Sequence, residues 1–318
     1  MRWSDRIGER IRLRDLHVLL AVAERGSMTG AADQLSISVP VVSKTIADME
    51  HTLGVRLLDR GPRGITPTLY GRALLDCSVA VFDDLRQGIQ QIRLLADPTA
   101  GELSIGAVEP LMAGLVSAVI DRIASKYPRI VFHAVQGDIA TLHRLLRERK
   151  VDLIVARGLH PNVDEDLHAE ALFEEQLFVV AGLKNPWVKK RKVELAELVA
   201  EPWIIPPPDT VVGSLVVEAF RSAGLEVPKA RVVSLSLPLR NSLLATGNFI
   251  SMVAGSMLDL SSQRLPAKVL PVDLTVQSRP VEIIRLKDRT LSPVAHLFIE
   301  HSRAVASQVK KRTKPRPA

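Results

Sequence analysis

Cysteine is almost missing from this chain: Cys77 stands alone among 318 residues. A single thiol excludes an intramolecular disulfide framework and any Cys-x-x-Cys site, and Cys77 is expected to be a small packed residue on a helix. Aromatic residues are scarce at 4 %, which argues against a sugar held between stacked rings. Long apolar runs are absent too: none reaches 18 residues, and the N-terminus MRWSDRIGER lacks the apolar segment of a secretory signal. A soluble, cytoplasmic protein without a membrane partner is expected. The chain holds no GxSxG, P-loop, GxGxxG or HxxxH pattern. Its eight histidines are scattered, and His133, His143, His160 and His168 show no ligand spacing. No catalytic residue, cofactor or metal site is therefore expected, and an enzyme is the weaker reading.

A uniform basic character is also lacking, although the net charge is +7. Residues 1–72 carry 11 Lys and Arg against 8 Asp and Glu, residues 73–300 carry 25 against 27, and residues 301–318 carry 6 against none. Most of the surplus thus lies in the tail, where Lys310, Lys311, Arg312, Lys314 and Arg316 with two prolines read as a disordered basic segment over 310–318.

What is present is a strong local pattern at residues 27–54, SMTGAADQLSISVPVVSKTIADMEHTLG. Ser27 can cap a helix running to about Leu35, Ser36-Ile37-Ser38 makes a short polar turn, and Ser38 can cap a second helix. Pro40 falls in the first turn of that helix, where its missing N–H costs little. Val42, Ile46, Met49 and Leu53 form an inner stripe, which turns Ser43, Lys44, Ala47 and Asp48 outward. Two helices at this spacing make a helix-turn-helix, whose second helix meets base edges with its N-terminal residues: Ser38, Val39, Pro40, Ser43 and Lys44. Serine can bond several base edges, valine can touch a thymine methyl, and lysine can reach guanine or phosphate. In VRLLDRGPRGITPT, apolar segments flank a basic, glycine-bearing tip, so a hairpin is expected with Arg60 and Arg63 beside the reading helix.

The stretch from Leu13 to Leu75 resembles the LysR-type transcriptional regulators. Residues that carry the resemblance include Leu16, Ala21, Gly26, Ser27, Ala31, Ala32, Leu35, Ser38, Pro40, Ser43, Ile46, Leu53, Gly54, Leu57, Arg60, Thr66, Gly71 and Leu75. The resemblance implies a winged helix-turn-helix over 1–66 and adds Ser27 and Thr66 to the DNA-facing set. One departure is Val39, where the family often has glutamine, so operator preference does not carry over. For the rest of the chain it implies an effector domain similar to a type 2 periplasmic binding protein, with a small-molecule effector and double-stranded promoter DNA as partners. It also implies assembly as a homodimer or homotetramer, with RNA polymerase as a candidate partner.

From Thr66 to about Leu95 no proline follows Pro67, and Leu74, Val81, Leu85, Ile92 and Leu95 recur at intervals of 7, 4, 7 and 3. This near-heptad seam predicts a linker helix over 67–97 that pairs with its copy, interrupted by Ser78 and Gly88; packing on the chain's own domains is the alternative. Beyond Asp97-Pro98, strands and helices alternate, which predicts parallel sheets in two similar lobes. The effector domain is expected over 98–309, with lobe I at about 102–172 and 281–309 and lobe II at about 173–280. The fold class is thus α/β, with a double crossover between lobes.

In open parallel sheets ligands sit beyond the carboxyl ends of strands. Those ends name Val108, Glu109 and Pro110; Pro208, Asp209 and Thr210; Ser236, Leu237 and Pro238; and, from two further strands, Gln136, Gly137 and Asp138, with Arg157 and Gly158. Arg157 and the helix N-termini favour an anion, whereas Glu109 and Asp209 favour hydroxyl or amine donors. The functional expectation is a promoter-binding regulator whose output an effector controls. The alternatives are a small-molecule-binding protein or an enzyme built on the same fold.

Overall fold

The computed structural model describes residues 10–61, 64–97, 99–158, 164–260, 265–274 and 278–312. The chain forms two compact units, and the division falls between Gly88 and Ile89.

The first unit holds helices α1 (Leu13–Arg25), α2 (Met28–Leu35) and α3 (Val39–Leu53), a hairpin of β1 (Leu58–Gly61) and β2 (Gly64–Pro67), and most of α4 (Leu69–Ala96). Leu19 and Val22 from α1, Ala31 and Ala32 from α2, and Val42, Ile46 and Met49 from α3 share one buried core. Gly26 ends α1 in the left-handed region (φ 62°), and Ser27 opens α2 by accepting a hydrogen bond from Gly30 N at 3.0 Å. Ser38 has the extended backbone of a cap, but its side chain makes no cap bond. Pro40 behind it has no N–H to offer at that position. Glu50 ties the hairpin to α3: its Oε1 accepts from Leu57 N (2.7 Å) and Leu58 N (3.2 Å).

Helix α4 starts where Thr68 accepts from Gly71 N (3.0 Å) and donates to the Arg56 carbonyl (2.7 Å). Gly71 is obligatory here, because a β-carbon would lie 1.9 Å from the Leu57 carbonyl oxygen. Gly71, Leu74, Leu75 and Ser78 define the side of α4 that faces the first unit's core. This corrects two expectations. Leu74 packs within its own domain, and Cys77 is exposed because it falls off that face. Further along, Val81 is half-buried, and Leu85, Ile92 and Leu95 are 48, 67 and 78 % exposed.

The second unit contains two five-stranded sheets. Lobe I is ordered β4-β3-β5-β12-β6, from β3 (Ala100–Ala107), β4 (Arg129–Gln136), β5 (Leu153–Arg157), β6 (Leu167–Glu175) and β12 (Arg279–Leu286). Lobe II is ordered β11-β7-β10-β8-β9, from β7 (Leu177–Gly182), β8 (Trp203–Ile205), β9 (Val232–Val233), β10 (Ile250–Ala254) and β11 (Ala267–Val269). The sheets are mixed rather than parallel: β12 runs antiparallel to β5 and β6, and β7 antiparallel to β10 and β11. The strands that carry the chain between lobes cause this, since they must enter each sheet against the direction of its βαβ strands. These crossing strands extend lobe I to Glu175 and from Arg279 onward, two to three residues beyond the expected bounds.

Helices cover the sheets: α5 (109–124), α6 (Ile139–Arg147), α7 (Val211–Ser222), α8 (Leu237–Thr246), α9 (Gly255–Leu260) and α10 (Pro293–Arg312). Lobe I packs Leu103, Ile105, Leu115, Ile123 and Phe298 into its core; lobe II is built around Trp203, whose ring meets Phe220 edge-on at 5.3 Å. Within α5, Met112–Val116 form a π turn beside lobe II, where a β-carbon on Gly114 would lie 3.1 Å from the Ser256 carbonyl oxygen. Helix α10 continues to Arg312, into the stretch expected to be disordered, because Lys and Arg are good helix formers. Residues 313–318 lie outside the described residues. No helix among the described residues is long and apolar enough to cross a membrane.

Candidate DNA-reading face and ligand cleft

The first unit presents the start of α3 to solvent. Ser38, Val39, Pro40 and Lys44 are exposed there, Ser43 is half-buried, and Val41, which the sequence reading passed over, is as exposed as Val39, at 39 % each. Two valines on one exposed turn form an apolar spot suited to thymine methyls, bordered by the Lys44 ammonium. Ser27 is half-buried and its hydroxyl is engaged in capping. On the hairpin, Arg60 is exposed opposite Ile65, and Thr66 is exposed opposite Asp59. Arg63 lies outside the described residues.

In the second unit a cleft of about 520 Å³ opens between the lobes. It is lined by Val108, Glu109, Pro110, Gln136, Arg157, Asp209, Thr210 and Ser236, with Gly137, Asp138 and Leu237, whereas Pro208, Pro238 and Gly158 do not line it. They come from the ends of β3, β4 and β5 in lobe I and from the segments before α7 and α8 in lobe II. The volume lies in the range of small-molecule sites. Among the described residues, no group of three or more His, Cys, Asp or Glu is placed to hold a metal ion.

Several of these polar groups already have structural partners. Thr210 Oγ1 accepts from Gly213 N (3.1 Å) and donates to the Pro207 carbonyl (2.7 Å), and Ser236 Oγ accepts from Leu239 N (3.3 Å). Asp138 caps α6 by accepting from Thr141 N at 2.7 Å, and that bond holds its carboxyl below the usual carboxylate range. Arg157 is buried and bonded to Glu175 (Nη2 to Oε2, 3.0 Å). Glu175 in turn accepts from Ser256 N and Oγ, each at 2.9 Å. This chain runs from β5 of lobe I through the β6 crossing strand to the start of α9 in lobe II. Arg157, expected to favour an anion, lines the cleft but already carries Glu175 as its counter-charge. Its Nε remains buried without a partner.

The residue that sequence reasoning missed is Arg240. It sits one turn into α8 and lines the cleft, and its Nε is buried without a hydrogen-bond partner. Its other contacts are weak: Asn241 Oδ1 at a long 3.5 Å and the Met257 sulfur at 3.4 Å. Burial pushes its pKa down to about 10, against a pull upward from Glu109. Nothing local in LPLRNSLLAT distinguishes this arginine from one on an ordinary helix surface. Met257 and Ser251, also on the cleft wall, were missed because β10 and α9 reach it from later in the chain.

A helix-turn-helix with a hairpin wing, joined to a two-lobed domain with a double crossing, is the architecture that the comparisons with known proteins return. Residues 96–307 match the LysR substrate binding domain, and residues 13–72 match the bacterial regulatory helix-turn-helix protein of the lysR family. The chain belongs to the LysR family. This LysR-type transcriptional regulator is 27 % identical over 305 residues to the HTH-type transcriptional regulator GbpR of Azospirillum brasilense, covering 95 % of this chain and 89 % of GbpR. It is 28 % identical over 288 residues to the transcriptional dual regulator GltC of Bacillus subtilis (strain 168), covering 91 % and 95 %. In fold it is similar to full-length CbnR, solved in complex with its target DNA, with a TM-score of 0.61 and 22 % identity over 92 % of this chain and 99 % of CbnR. The protein is thus a transcriptional regulator with a helix-turn-helix DNA-binding domain and an effector-binding domain.

Proposed function

We propose that this regulator reads promoter DNA with the exposed start of α3, including Ser38, Val39, Pro40, Ser43 and Lys44, and with Arg60 and Arg63 of the hairpin. A small-molecule effector seated in the cleft of about 520 Å³ shifts the lobes and thereby changes DNA bend and polymerase access. The observation that carries the reading is convergence. Eight residues chosen at separate strand and helix ends line one cavity between two sheets. On this reading the exposed stripe of Leu85, Ile92 and Leu95 pairs with a second copy, giving a homodimer or homotetramer that sets the spacing of two reading heads. The protein then works in the cytoplasm without catalysis or a cofactor.

The test is a fluorescence-anisotropy titration onto the DNA upstream of its own gene and onto a scrambled duplex of equal length, at two salt concentrations. Specific binding separates the duplexes by about 4 kcal/mol or more. Equal affinities that fall together with salt would show only phosphate attraction and defeat the promoter assignment at that site.

A further inference from the structure

The two buried arginines of the second unit are paired with carboxylates, and the half-buried Arg240, whose Nε is buried, is not. Arg157 has Glu175 at 3.0 Å, and Arg289 has Asp152 at 2.6 Å. Among the described residues, Arg240 lines the cleft with no carboxylate in ion-pair contact, and its side-chain contacts are an amide oxygen and a thioether. A partly desolvated guanidinium without a counter-charge costs stability, so such an arrangement suits a site where another molecule supplies the charge. Glu109, from lobe I, lines the same cleft and pulls the pKa of Arg240 upward without an ion-pair contact. The walls around the two are largely aliphatic: Val108, Pro110, Ile204, Val253 and Met257.

Building on the effector-cleft reading, we infer that the ligand is a small organic acid. Its carboxylate sits on Arg240 of lobe II, a hydrogen-bond donor, hydroxyl or ammonium, reaches Glu109 of lobe I, and its apolar body fills the space between. A guanidinium matches a carboxylate with two parallel hydrogen bonds, which a neutral amide or a sulfur does not. A bare acid would meet repulsion from Glu109, and a bare amine would be repelled by Arg240. Only a molecule carrying both groups is favoured at both ends, and such a molecule draws the lobes together.

The experiment uses the full chain and its Arg240→Gln and Glu109→Gln variants, followed by thermal melting and calorimetric titration. The probes share one body: phenylacetate (acid only), mandelate (acid and hydroxyl), phenylglycine (acid and ammonium) and benzyl alcohol (no charge). Mandelate or phenylglycine is expected to stabilise the wild type more than phenylacetate, and benzyl alcohol least. Arg240→Gln is expected to weaken acid binding about tenfold or more, the loss of a charged hydrogen bond. Without ligand it should melt no lower than the wild type, because it removes an unsatisfied charge. Glu109→Gln is expected to reduce the advantage of phenylglycine over phenylacetate. Absence of acid-dependent stabilisation in the wild type, or a lower melting point for unliganded Arg240→Gln, would overturn the assignment. Stabilisation of the wild type by benzyl alcohol as strong as by the acids, and undiminished in Arg240→Gln, would overturn the acid class while leaving an effector cleft in place, which separates this failure from failure of the functional reading.

Discussion

Lys44 stands exposed in the second turn of α3, near the valine pair Val39 and Val41. If it contacts phosphate, Lys44→Ala weakens binding similarly on all sequences and lowers the salt slope by about one charge. If it reaches guanine, the loss is confined to one operator position and amounts to about 1–3 kcal/mol. Titrations at several salt concentrations on single-substituted operators separate the two, and unchanged affinity would remove Lys44 from the reading face. A second single-residue effect concerns pH. His143 on α6 is half-buried, its Nε2 lacks a partner, and burial holds its pKa below the ordinary imidazole value, with Arg147 acting in the same direction. The folded state therefore favours the neutral ring, so stability is complete above the unfolded pKa and is lost as pH falls through about 6.5 towards the folded value. Thermal melting between about pH 7.5 and 5.5 should show a smaller drop for His143→Gln than for the wild type.

Elements differ in how far local sequence determines them. Helices α2 and α3 were legible to the residue, because Ser27, Pro40, Gly54 and the stripe of Val42, Ile46 and Met49 are all short-range signals. The eight cleft residues were legible as loop positions following strands. Strand polarity was not: the pairing of β12 with β5 joins residues more than 120 positions apart, and no local pattern encodes its direction. Arg240 was hidden for the same reason, since its burial depends on Met257 from another helix. Helix α4 lies between these cases. Its seam was visible, but only the structure separates Leu74, packed in the first unit's core, from Ile92 and Leu95, which are exposed. Ile92→Asp should accordingly leave the fold intact while shifting the assembly to smaller species in sedimentation velocity. An unchanged mass would exclude this face from the assembly.

For the second unit as a whole, the Arg157–Glu175–Ser256 chain is a buried polar link between lobes, with both side chains of the ion pair 2 % exposed. Removing the carboxylate strands a buried cation, so Glu175→Gln should destabilise the domain by about 3–5 kcal/mol. The double variant Arg157→Met/Glu175→Gln should recover part of that loss, because no charge is left unpaired. Chemical denaturation of the wild type, Arg157→Met, Glu175→Gln and the double variant measures the coupling; additive effects would mean that the pair is not a unit.

Helix α5 carries one residue more than regular α geometry accommodates over Met112–Val116. Each residue of an α-helix advances the direction of its side chain by about 100°, so this surplus acts as a phase shifter. Everything on the N-terminal side, Glu109 included, is rotated by that step relative to the face that packs on β3 and α10. The aim of Glu109 into the cleft is thus set by helical phase as well as by side-chain identity. Deleting one residue within 112–116 should leave lobe I folded by circular dichroism but swing Glu109 off the cleft, altering which ligands the protein accepts without changing a single cleft side chain. An unaltered ligand preference in such a deletion would show that the surplus residue sets nothing beyond local packing.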